Sequence, residues 1–105
     1  MIHELRIYTC LPGKRDGAVA LLEKVFPIYT RNGYKVIAFW TTLIGRAETI
    51  YHIIEFESLA DRDVKRAKLL QDPELKKIME EEAAEPHIQF QDNTILQPTS
   101  YSPLR

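Results

Sequence analysis

Glu4, Arg6 and Tyr8 stand two residues apart in IHELRIYT, so an extended backbone turns all three to one side. An acceptor, a permanent cation and a phenol gathered in that way can bind or polarise an anion or a carbonyl. They can also form a self-satisfied buried network. His52 shares its alternation with Ile54 and Phe56, a mostly apolar set in which an imidazole is expected to be tuned near neutrality, where acid–base work is done. Trp40 has an amphipathic ring, suited either to a core or to the wall of a ligand pocket. Cys10, the single cysteine, cannot form an internal disulfide and reads as a small packed residue. His3, His52 and His87 lack local metal-ligand spacing, and the chain has no phosphate loop, dinucleotide fingerprint, cysteine pair or His-x-x-x-His motif. Neither a metal nor a cofactor is expected, and no motif specifies a reaction.

The elements that position these residues are legible from periodicity. Ile2 to Thr9 alternates and predicts a strand. Pro12-Gly13 breaks it, after which Ala18, Leu21, Leu22, Val25, Ile28 and Tyr29 form a helical stripe that ends at Asn32-Gly33 and contains Pro27, where a kink or a broken last turn is expected. Tyr34 to Ile44 and Ala47 to Glu57, split by Gly45-Arg46, predict a β-hairpin. Ser58 and Asp61 form a capping-box-like start, with the hydroxyl accepting from the Asp61 amide and the carboxylate from that of Ser58. A helix follows from about Leu59 to Gln71. Asp72-Pro73 restarts a helix that Pro86 stops, with Glu80, Glu81 and Glu82 near its end as a solvated face. His87 to Leu96 predicts a final edge strand, and Pro98 to Arg105 an extended tail anchored by Tyr101 and Leu104 on a neighbouring surface.

This order, strand–helix–strand–strand–helix–strand, is a ferredoxin-like βαββαβ arrangement of the α+β class, read as one domain over residues 1–105 with an antiparallel sheet and helices on one face. A net charge of −1 supplies no basic field for nucleic acid, and no apolar run reaches bilayer length. Neither nucleic acid nor membrane is expected as a partner. The chain opens directly on strand-like sequence, from which a cytoplasmic location is expected.

Both alternating sets of the hairpin are apolar: Val36, Ala38 and Trp40 against Ile37 and Phe39, and Ile50, Ile54 and Phe56 against Tyr51 and Ile53. Helices cover only one face, so a second cover is implied, and the simplest is a second copy related by a two-fold axis. On this reading Leu5 and Ile7 face the helices, while Glu4, Arg6 and Tyr8 face the partner.

ELRIY at 4–8, LPGK at 11–14, FWTTLIG at 39–45, YHIIEFESLADRD at 51–63 and ILQPTSYSP at 95–103 together resemble the NIPSNAP family. The resemblance implies the dimeric α/β-barrel superfamily, whose ferredoxin-like subunits pack sheet against sheet and enclose a cavity each. Relatives there include cofactor-free monooxygenases, haem-dependent enzymes and isomerases, whereas animal NIPSNAP proteins act in mitochondrial protein interactions. Glu4, Arg6, Tyr8, Trp40, His52 and Arg62 stand at matching motif positions, and Ile54 replaces a Trp that the pattern commonly carries. The resulting expectation is a small, partly apolar molecule bound or transformed in the cavity. Trp40 and Ile54 would be its walls, Glu4, Arg6, Tyr8 and Arg62 its polar contacts, and His52 with Tyr8 the catalytic pair, His52 as general base. The alternative is a non-catalytic homodimeric interaction protein that uses the Glu80–Glu82 helix end.

Overall fold

The computed structural model describes all residues from Met1 to Arg105. The elements run β1 (Ile2–Cys10), α1 (Arg15–Arg31), β2 (Lys35–Thr41), β3 (Thr49–Phe56), α2 (Leu59–Leu70), α3 (Pro73–Ala84) and β4 (Ile88–Leu96). The strands form one antiparallel sheet in the order β2-β3-β1-β4. This is the ferredoxin-like α+β arrangement, with the long second helix broken into α2 and α3.

Local chemistry explains the boundaries. Gly13, at φ +74°, makes the turn that leads into α1, and the helix runs on through Pro27. Asn32 terminates it, with its side-chain amide donating to the Ile28 carbonyl at 2.8 Å, and Gly33 follows at φ +87°. Ser58 caps α2, accepting from the Asp61 amide at 3.0 Å. The other half of the expected box is displaced by one residue: the Asp61 carboxylate accepts from the Glu57 amide, not that of Ser58. Asp72 caps α3, accepting from the amides of Glu74 and Leu75. The hairpin strands end earlier than their composition suggests, at Thr41 and Thr49, leaving Leu43 and Ile44 almost fully exposed at the tip.

Glu82 is not part of a solvated charge run. Its carboxylate accepts from the amides of His87 and Ile88 and pairs with His87 Nδ1 at 2.7 Å, fastening the end of α3 to the start of β4. The tail is not packed on this chain, since Tyr101 is 83% exposed.

The register corrects the expected facing of the sheet. Glu4 lies opposite Ile54, Arg6 opposite His52 and Tyr8 opposite Ile50, and this set faces the helices. Arg6 Nη1 donates to the Tyr29 hydroxyl of α1 at 2.9 Å, and Arg62 of α2 reaches the Glu4 carboxylate. Leu5 and Ile7, expected beneath the helices, sit only half-buried on the open face with Ile53 and Tyr51. Parity assigned by hydrophobicity fails because the Glu4 charge is buried together with its two guanidinium partners. The main core gathers Val25, Ile28, Tyr29, Tyr34, Ile54, Phe56, Leu69, Leu75 and Ile78 between helices and sheet. A smaller cluster of Tyr8, Cys10, Ala18, Leu22 and Ile50 continues it.

Candidate functional site

The strand β1 delivers the polar trio, and the helices complete it. Glu4 is fully buried between Arg6 Nε and Arg62 Nε, both of which donate to its carboxylate. Burial alone would raise this carboxyl, but Arg6 and Arg62 outweigh it and hold it below its ordinary value. Burial would likewise lower Arg6, but Tyr29, Tyr8 and Glu4 raise it, so the guanidinium stays charged. The Tyr29 hydroxyl is pushed up, first by burial and then by Tyr8. The result is a fixed cation beside the Tyr8 and Tyr29 side chains beneath the helix layer.

Two cavities open on this layer. The larger, about 440 Å³, lies between the sheet and all three helices, with Arg6 and Tyr8 on its floor beside Tyr29 and Gln91. Leu69, Leu75, Ile78 and Met79 supply apolar walls, and Arg66 adds a second cation. Its size and its mostly apolar lining with a few convergent polar groups are those of a small-molecule site. The smaller, about 340 Å³, lies between α1 and the β2–β3 edge and is lined by Val19, Leu22, Glu23, Phe26, Phe39, Trp40, Thr41, Ile50 and His52. Leu22 borders both cavities, and the Tyr8 and His52 rings meet edge-on between them, with centroids 4.8 Å apart.

The residues singled out from the sequence therefore divide. Arg6 and Tyr8 line the larger cavity, while Glu4 and Arg62 support Arg6 from behind. His52 and Trp40 belong to the smaller cavity. Trp40 is 59% exposed, and its register pairs it with Tyr51 at the sheet's outer side. Ile54 is a correction: it is fully buried in the core and lines neither cavity. His52 is a second correction. Burial, and then the Arg6 cation, lower its pKa to about 3, so the ring is neutral and a weak base, not one poised near neutrality. No group of three His, Cys, Asp or Glu side chains gathers as a metal-ion site.

Tyr29 and Phe39 were read from sequence as stripe and strand residues, yet they shape the two cavities. The signal for Tyr29 lay in its type: a tyrosine on an apolar helix stripe needs a partner for its hydroxyl, and a buried arginine is a ready donor. Phe39 gave no such signal. A bulge between Val36 and Ala38 shifts the β2 register and brings Phe39 opposite His52, with ring centroids 3.9 Å apart.

The chain is similar to solved structures over almost its entire length. A NIPSNAP family protein from Agrobacterium tumefaciens shares 31% identity, with 99% of this chain and 98% of that one covered, at a TM-score of 0.87. A NIPSNAP-like domain protein from Burkholderia xenovorans shares 30% identity over 97% and 88% of the two chains, at a TM-score of 0.86. A putative antibiotic biosynthesis monooxygenase from Deinococcus radiodurans covers 100% of this chain and 99% of its own at a TM-score of 0.66, but with 7% identity the likeness is one of fold alone. No curated protein matches the sequence at a significant level. The NIPSNAP family model matches residues 3–103, and the chain belongs to the NIPSNAP family.

Proposed function

We propose that the chain binds a small amphipathic molecule in the larger cavity, as a homodimer formed through the open face of the sheet. The reading rests on one observation: a mostly apolar cavity of about 440 Å³ has a buried, permanently charged guanidinium on its floor. Arg6 takes an anionic or carbonyl group of the ligand, Tyr8 hydrogen-bonds the same oxygen, and Leu69, Leu75, Ile78 and Met79 hold the apolar body. Glu4 neutralises one of its two arginine partners, so the Glu4–Arg6–Arg62 cluster keeps a net positive charge that favours an anion. The homodimer is supported by the half-buried Leu5, Ile7, Tyr51 and Ile53 and the exposed Trp40, Phe90 and Leu96, none of which the helices cover.

The test begins with native mass spectrometry of the purified protein against a metabolite mixture, followed by titration with decanoate as the simplest apolar carboxylate. Tyr8→Phe and Arg6→Gln are each expected to weaken decanoate binding about tenfold or more, the cost of one charge-assisted hydrogen bond. Unchanged affinity in both variants, with far-UV circular dichroism intact, overturns the assignment.

A further inference from the structure

The smaller cavity differs from the larger in its chemistry. Its inner wall is aromatic, with Phe26 and Phe39 in edge contact at 5.3 Å, and Trp40, whose register turns it to the other face of β2, borders only its rim. It contains no cation, and its one charged lining residue is Glu23 on α1. An anion is therefore repelled where the larger cavity attracts one. At its inner end lies His52, 1% exposed, whose ring makes no hydrogen bond within the chain and whose Nδ1 is buried without a partner. A buried polar ring left unsatisfied is costly and rare, and it marks a place where a partner from outside the chain gains a hydrogen bond at no loss of an existing one. The volume, about 340 Å³, lies within the usual range for small ligands.

We infer that the cavity between α1 and the β2–β3 edge is a second, separate binding site for a neutral flat aromatic molecule carrying one hydroxyl or N–H group, which hydrogen-bonds to the His52 imidazole while its ring packs against Phe26 and Phe39. The site does not depend on the Arg6 cavity being a ligand site. Leu22 and the Tyr8–His52 contact separate the two, so both can be filled at once.

The experiment uses the full chain with 1-naphthol and, as the matched compound without a donor, naphthalene. Nitrogen-15 spectra of the imidazole rings are followed during titration, with Trp40, the single tryptophan, giving a fluorescence readout. The expected result is saturable 1-naphthol binding that shifts the His52 ring nitrogens, with naphthalene binding about tenfold more weakly and leaving them unmoved. His52→Phe keeps an aromatic ring and is expected to reduce 1-naphthol affinity to that of naphthalene. The unmodified protein carries the test if that variant does not fold. Decanoate at saturation is expected to leave 1-naphthol affinity within twofold. Equal affinity for the two compounds, unperturbed His52 nitrogens, or displacement of 1-naphthol by decanoate each overturns the proposal. Failure of decanoate to bind at all overturns only the reading of the larger cavity.

Discussion

Glu4 shows how a fully buried carboxylate is kept in its charged form. Its carboxylate is enclosed by Arg6 and Arg62, which neutralise it where no water reaches. Glu4→Gln leaves two guanidinium groups facing each other without a counter-charge. It is expected to cost about 3–5 kcal/mol, read as a lower urea midpoint. His52 gives a pH-dependent counterpart. Its folded pKa, about 3, lies below the ordinary 6.5, so between those values the unfolded chain takes up a proton that the folded chain refuses. This contribution to stability is complete above pH 6.5 and is lost progressively as the pH falls towards 3. Unfolding free energies measured across that interval should show a slope of up to one proton that His52→Phe removes, and an unchanged slope would mean that His52 is protonated in the fold. Residue types and spacing were enough to single out Glu4, Arg6, Tyr8 and His52. The wrong facing of the trio and the expected neutral pKa share one cause, since both depend on partners more than twenty residues away in sequence.

The helices and their ends were the most legible elements, because caps and breakers act over three or four residues. Ser58, Asp72-Pro73 and Pro86 mark boundaries that the folded chain keeps to within a residue or two. The β2 bulge was not legible, since a register shift is settled by what lies across the strand, and it is this bulge that turns Phe39 toward His52. A further constraint on the elements is the crossing of α1 over His87. A Cβ added at Gly17 would lie 2.5 Å from His87 Cδ2, and that ring is held by Glu82, so it cannot swing aside. Gly17→Ala is therefore expected to lower the melting temperature, even though alanine gains about 1 kcal/mol of helix propensity. In a His87→Ala background the same substitution should raise it. A rise in both backgrounds would show that α1 stands further from β4 than the contact implies.

Taken whole, the molecule covers its sheet with three helices on one side and leaves Leu5, Ile7, Tyr51 and Ile53 half-buried on the other. Light scattering at micromolar concentration is expected to give about twice 12.2 kDa, and Ile53→Lys, at the centre of that face, to give a folded monomer. A wild-type monomer, or a dimer unmoved by the substitution, would remove the proposed interface. The sequence by itself determined the order of elements, the antiparallel α+β class, the apolar character of both alternating sets of the hairpin, and the side chains able to do chemistry. Each of these follows from local periodicity, turn residues and composition, which the chain carries independently of its folding. Only the tertiary structure decided which face the helices take, that Arg6 and Tyr8 belong to one cavity and His52 and Trp40 to another, and that Ile54 belongs to neither. The physical reason is that a strand presents both faces equally until its cross-strand register and the helix partners Tyr29 and Arg62 fix which side can hold a charge out of water.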